Sequence, residues 1–315
     1  MNLQTHKCIF PLYIIMAMLW MFCSCSNSRQ TGNQLTLSVL RGPSAIVFAQ
    51  WMIDPPVVQG KRLAVKVVDS PQLMQAAMIK EETDIAVLPM VSAANLYNKG
   101  IDYRLAGCPI WGTLYLVEHA SIDPADHTLH LFGAGTTPEM LTRHYLAQVD
   151  SDAYRLDFTF GTPRELLQAL YAGRVKRAVL SEPFIGMAQR RDSAFRVVAD
   201  LNRLTADSTE AFAQTAVVYH PSLQPVRHQL DSLLAQSCSF VNEHPQQAIE
   251  VLEKQGLFAP GSLTPQTLKR CRIQYRTAEA SRRSINSLLR LIYQYEPKAV
   301  GGRLPDNGFI QGLER

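Results

Sequence analysis

Four short segments combine residue types that hold small polar molecules: Gly42-Pro43-Ser44, Pro89-Met90-Val91-Ser92, Gly135-Thr136-Thr137-Pro138 and Ser181-Glu182-Pro183. Each follows a β-rich apolar run and precedes a helical pattern. Small residues let a backbone approach a ligand, free N–H groups and the helix dipole favour anions or carbonyl oxygens, and Ser or Thr hydroxyls add donors. One such turn is also what any good helix N-cap looks like. Four of them, shared between two βα series, point to a cleft at the carboxyl ends of parallel strands. Ser44 and Thr137 are expected at helix N-termini on opposite sides of it. Glu182, which suits a helix start, is the carboxylate to watch. Trp111, beside Gly112-Thr113, offers a planar face for stacking, or equally a core side chain.

Other chemistry is excluded by spacing. Gly133-x-Gly135 lacks the third glycine of a dinucleotide loop, since Pro138 stands there. No G-x-S-x-G, H-E-x-x-H or P-loop sequence occurs. His127 and His130, three apart on a predicted strand, point to opposite faces and make a poor metal pair. Neither a metal nor a cofactor is expected. With 31 Lys+Arg against 27 Asp+Glu in 315 residues and no long block of one sign, a nucleic-acid groove is not indicated.

The elements that must position these turns alternate between strand and helix. The spacing predicts strands near Leu35–Leu40, Arg62–Asp69, Asp84–Leu88, Tyr103–Ile110 and Thr113–Glu118. Helices separate the first three, one starting at Ser70-Pro71. A second series follows, with strands near Thr128–Phe132, Arg155–Phe160 and Arg177–Leu180. A return strand near Ala213–Tyr219 carries Thr215, and everything beyond Pro221 reads helical. The domain reading is 35–117 for the first part of one lobe, 118–212 for a second lobe inserted into it, and 213–315 for the return strand and C-terminal helices. The crossings are expected near Val117–His119 and Ala213–Ala216.

The amino terminus is different. Lys7 is the only formal charge in residues 1–24, and Ile9–Phe22 is almost wholly apolar. Fourteen residues is short for a membrane span and suits a signal-peptide core. Phe22-Cys23-Ser24-Cys25 resembles the lipobox of bacterial lipoproteins, with Cys25 the lipidated residue and 25–34 a polar tether. Phe22 departs from the usual aliphatic residue. A plain cleaved signal is the alternative. Cys108, Cys238 and Cys271 allow at most one disulfide and match no metal motif.

Several separated motifs resemble the substrate-binding lipoproteins of ABC importers, of the nitrate/sulfonate/bicarbonate and thiamine-precursor type. They are Leu40-Arg41-Gly42-Pro43-Ser44, Asp84-Ile85-Ala86-Val87-Leu88-Pro89, Ala93-Ala94-Asn95-Leu96-Tyr97-Asn98-Lys99-Gly100, Trp111-Gly112-Thr113-Leu114-Tyr115, Glu182-Pro183-Phe184 and Gly301-Gly302-Arg303-Leu304-Pro305-Asp306-Asn307-Gly308-Phe309. The resemblance implies an α/β, two-lobed type II periplasmic-binding-protein fold. Each lobe would be a mixed, mainly parallel sheet flanked by helices, with a helical C-terminal extension. It implies a monomeric, non-catalytic receptor facing the periplasm in the cell envelope. Such a receptor captures a small polar or anionic ligand between the lobes and passes it to permease and ATPase subunits. Ligand contacts would come from Arg41, Gly42, Pro43, Ser44, Pro89, Met90, Ser92, Trp111, Gly112, Thr113, Gly135, Thr136, Thr137, Glu182 and Thr215. The alternative is an enzyme on the same fold, like menaquinone-pathway dehydratases or thiamine-pyrimidine synthases; the export signal argues against it.

Overall fold

The computed structural model describes residues 33–149, 154–205 and 207–311. The signal peptide and Cys25 lie outside these residues, as does the tether apart from Asn33 and Gln34.

The chain runs β1 (Gln34–Leu40), α1 (Pro43–Ile46), α2 (Ala49–Ile53), β2 (Val57–Val58), β3 (Lys61–Val68), α3 (Pro71–Ile79), β4 (Ile85–Pro89), α4 (Met90–Asn98) and β5 (Arg104–Ile110). It continues through β6 (Leu114–His119), β7 (Thr128–His130), α5 (Thr137–Gln148), β8 (Arg155–Asp157), α6 (Pro163–Tyr171), β9 (Arg177–Ser181), α7 (Phe184–Arg191) and β10 (Phe195–Asp200). Then come β11 (Thr215–Tyr219), a 3-10 turn at Pro221–Val226, α8 (Arg227–Glu243), α9 (Pro245–Lys254), α10 (Pro265–Arg270), β12 (Ile273–Thr277), α11 (Arg282–Tyr295) and α12 (Gly308–Gln311).

Local chemistry accounts for many boundaries. Ser70 accepts the Leu73 N–H at 3.2 Å and Pro71 opens α3. Thr162 and Glu165 form a reciprocal capping box ahead of α6. Gly42 adopts φ 129° to turn the chain from β1 into α1, a value that strains any residue with a Cβ.

Two sheets result, in the orders β12-β5-β11-β4-β1-β3-β2 and β10-β6-β9-β7-β8. Both are mixed. The parallel pairs β1–β3 and β1–β4, and β7–β8 and β7–β9, lie where βα units alternate. Around them β11 returns antiparallel between β4 and β5, and β6 pairs antiparallel with β9 and β10. The expectation of mainly parallel sheets is corrected accordingly: the strands that leave and re-enter each sheet run against the βα direction.

Strand β6 belongs wholly to the smaller sheet. The first crossing is therefore Trp111–Thr113, upstream of Val117–His119, and the second spans 201–214. The region beyond Pro221 is not all helical either. Residues 273–277 alternate buried and more exposed side chains and pair with β5 as an edge strand. Strand β10, on the edge beside β6, was likewise not expected. Gln34, assigned to the tether, begins β1.

Helix placement fixes where a ligand cleft can lie. After β1, α1 and α2 pack with Val39, Val58 and Leu63 on one face of the larger sheet; after β3, α3 packs through Met74 and Met78 on the other. The chain thus reverses direction between β1 and β4. In the smaller sheet α5 packs on one face through Met140 and Leu141, and α6 on the other through Leu166 and Leu167, which puts the reversal between β7 and β9. Crevices at the carboxyl ends of strands form at such reversals. One apolar cluster joins the sheets, with Leu88 and Leu105 from the larger, Leu129 and Leu131 from the smaller, and Ile285, Leu288 and Ile292 of α11 between them.

Candidate functional site

The switch point of the larger sheet is lined by Arg41–Ser44 after β1 and Pro89–Ser92 after β4. Thr215 joins them, because it pairs with Pro89 at the start of the adjacent strand. In the smaller sheet, Gly133–Thr137 follow β7. Leu40 and Val91, flanking the first group, and Phe132, preceding the second, pack against the same apolar cluster. The structure therefore brings both groups to the border of one shared core.

The hydroxyls are not used as caps. Gly42 and Thr136 are the N-cap residues, so Ser44 and Thr137 sit just inside their helices rather than at the cap positions expected. Among the described residues neither Ser44 nor Thr137 has a side-chain hydrogen-bond partner, and both are partly exposed. The Thr136 hydroxyl donates to the Gly133 carbonyl at 2.5 Å and closes the turn. Gly135 N–H is taken by Glu139, 2.8 Å away, whose carboxylate also meets Arg143 at 2.7 Å. These hydrogen bonds and the Arg143 charge hold the Glu139 carboxyl below the usual range against the opposing pull of burial, the largest single effect. At the other group, Arg41 is paired with Asp69 at 2.6 Å, both exposed, and the Met90 N–H donates to Gln214 O at 2.8 Å. Met90 itself is fully buried; Pro89 is exposed.

Glu182 stands elsewhere. It ends the β9 turn but is buried and ion-paired with Arg270 of α10, and its Oε2 accepts the Gly186 N–H at 3.2 Å. Burial pushes its carboxyl pKa up, with Arg270 opposing. Trp111 is buried under the Arg276 guanidinium, 4.5 Å from the ring centroid, and donates its Nε1–H to Gln274 O at 2.7 Å. It lines a cavity of about 610 Å³ next to β12. Gly112 passes so close to α10 that a Cβ would lie 3.0 Å from the Arg270 carbonyl. Thr113 accepts from the Glu182 N–H at 3.0 Å, tying the first crossing to the β9 turn.

Asn202 carries a role that spacing gave no hint of. Fully buried, it joins the two crossings. Its Oδ1 accepts from Thr113 N and Leu114 N, both at 3.0 Å, and from Gln214 Nε2 at 2.8 Å, while its Nδ2 donates to Leu114 O and Asp200 Oδ1 at 2.7 Å. Arg270 and Arg272 add a third, noncovalent link, since Arg272 pairs with Asp200 and the Arg270 carbonyl accepts the Tyr115 hydroxyl at 2.6 Å.

Two motifs singled out in the sequence meet far from these turns. Asn98 Nδ2 donates to Val300 O at 2.6 Å and Arg303 O at 2.7 Å, and the Tyr97 hydroxyl donates to Asp306 at 2.6 Å. Burial and that carboxylate push the Tyr97 phenol up to about 12. The Ala93–Gly100 motif and the Gly301–Phe309 motif, with Val300 just before it, thus clasp the C-terminal tail to α4. The thiols of Cys108, Cys238 and Cys271 are free and buried, so no disulfide joins them.

No protein-family model matches the sequence, and no curated protein does. Among solved structures, an ABC transporter from Parabacteroides distasonis is 53% identical, with 88% of this chain and 98% of that one covered and a TM-score of 0.85. The periplasmic aliphatic sulphonate binding protein SsuA from Escherichia coli is 16% identical over 90% and 96% of the two chains, with a TM-score of 0.64. The alkanesulfonate-binding protein SsuA from Xanthomonas axonopodis pv. citri, solved with MOPS bound, is 12% identical over 90% and 98%, with a TM-score of 0.51. The last two share the fold; the first shares half its residues over nearly its whole length. At 53% identity over 98% of that chain, this chain belongs to the same family as the Parabacteroides ABC transporter protein, and its two mixed sheets joined by crossing segments have the periplasmic-binding-protein fold.

Proposed function

We propose that this protein is the lipid-anchored, solute-binding component of an ABC importer. It captures a small polar or anionic molecule between the two switch points and presents it to a permease, without chemical change to the ligand. The observation that carries this reading is the pair of switch-point turns bordering one core, with the partnerless hydroxyls of Ser44 and Thr137 at their helix starts. The two sulfonate-binding relatives make alkanesulfonates the first class to try. Arg41, exposed and paired with Asp69, supports an anionic group on the larger-sheet side, whereas Glu139 already occupies the Gly135 N–H.

A thermal-shift panel of alkanesulfonates, small carboxylates and pyrimidines tests this. Ligand at 100 times its dissociation constant adds about 2.7 kcal/mol of stability. Small-angle scattering should then show compaction as the halves close, and the ligand should be recovered unaltered; a chemically altered product would instead assign an enzyme. For the anchor, mass spectrometry of the membrane-extracted protein should find diacylglyceryl-modified Cys25 as the first residue, and any other mature N-terminus refutes it.

A further inference from the structure

The cavity of about 610 Å³ lies at the β12 end of the larger sheet and is built from all three links between the sheets. Trp111 comes from the first crossing, Thr209 from the second, Lys269 from the last turn of α10 and Arg272 from the segment joining α10 to β12. No carboxylate is among its lining residues, while Lys269, Arg272 and Arg276 bring three positive charges. Arg272 is balanced by Asp200. Among the described residues, Lys269 and Arg276 have no carboxylate partner. Arg276 is nevertheless fixed in place, over the Trp111 ring and against Gln274 Oε1 at 2.8 and 3.1 Å. The remaining wall is largely apolar, including Val241 and Leu268.

A concave surface that mixes apolar side chains with a few cations suits a small charged molecule, and the volume falls within the 300–1,000 Å³ common for small-molecule sites. It is far larger than the roughly 30 Å³ share of one water, so a bare inorganic ion leaves most of it unfilled. Guanidinium and ammonium groups recognise carboxylate, sulfonate and phosphate oxygens through charge-assisted hydrogen bonds. We propose that this cavity binds a small organic anion, with its charged group at Lys269 and Arg276 and its body in the space left beside them. The site is distinct from the switch-point turns, which contribute none of its lining. Because its walls come from every link between the sheets, an occupant that prefers one relative orientation of the two halves shifts that equilibrium by its differential affinity.

The test uses the full chain in detergent, titrated with benzoate, benzenesulfonate and phenyl phosphate by calorimetry and tryptophan fluorescence. At least one probe should bind, more weakly as salt rises. Lys269→Gln and Arg276→Gln should each weaken that probe about tenfold at unchanged melting temperature. Ser44→Ala should leave it unaffected. If no probe binds, or if both charge variants bind like wild type, the proposal is overturned. If Ser44→Ala abolishes binding, the probe occupies the switch points; this proposal then fails while the receptor reading stands.

Discussion

Replacing Arg270 with methionine strands a buried carboxylate. The Glu182 side chain is 0% exposed and that of Arg270 13%, so water cannot take over the lost partner. Gly186 N–H would remain as the one hydrogen bond to the Glu182 carboxylate among the described residues. Removing one member of a buried ion pair costs about 3–5 kcal/mol, and methionine keeps most of the stem volume, so the loss is chiefly electrostatic. At roughly 2–4 °C per kcal/mol the melting temperature should fall on the order of 10 °C at neutral pH. The pH dependence has a definite sign. Burial raises the Glu182 pKa from 4.5, so above that value the folded chain holds a proton the unfolded chain has released, and stability falls as pH rises through the raised pKa. Arg270 opposes the rise; without it the window extends upward. The deficit of Arg270→Met should therefore shrink as pH falls from neutral toward 4.5. The double variant Glu182→Gln/Arg270→Met, with no buried charge, should regain most of the loss. Melting curves across that range decide it. A single variant within about 2 °C of wild type at neutral pH would refute the reasoning, as would a deficit that grows on acidification.

Because neither hydroxyl caps its helix, Ser44→Ala and Thr137→Ala should change stability by less than about 0.5 kcal/mol and weaken binding of the thermal-shift ligand about tenfold; normal binding in both removes the turns from the site. Asn202→Ala orphans the Thr113 and Leu114 N–H groups, each worth about 1–3 kcal/mol, so denaturant titration should show a loss of at least about 2 kcal/mol; a loss under about 1 kcal/mol contradicts its role at the crossings. Burial pushes the Cys238 thiol up to about 12 and those of Cys108 and Cys271 higher still. A maleimide should label these three only after denaturation, and rapid labelling of the native chain would show that the core opens.

Much of the fold is written locally. Ser70-Pro71 and Thr162-Pro163 mark helix starts because a side-chain oxygen three residues before a backbone N–H caps it whatever the rest of the chain does. The β1, β4 and β11 runs are recognisable because strands flanked on both sides must be apolar along most of their length. Edge strands escaped for the converse reason. In β10 and β12 only every other residue need be buried, and five or six such residues differ little from the polar segments around helices. The first crossing is not legible in the sequence because β6 reads the same whether it extends the larger sheet or begins the smaller one, and only its pairing with β9 decides.

The site divides the same way. Glycine, proline and hydroxyl residues at the ends of apolar runs were enough to find the turns at both switch points, since their conformations are set by neighbours in sequence. What becomes of each side chain was not. Glu182 meets Arg270, 88 positions away, and Asn202 meets Thr113 and Leu114 just as far off. Nothing in the spacing around either residue favours one partner over another. A buried charge or amide takes whichever complementary group the packed sheets and helices bring within reach, because leaving it unpaired costs more than any local preference supplies. The sequence by itself therefore determined the strand-end turns, and the tertiary structure alone decided which of their polar groups were left without an internal partner among the described residues and which were spent holding the two sheets together.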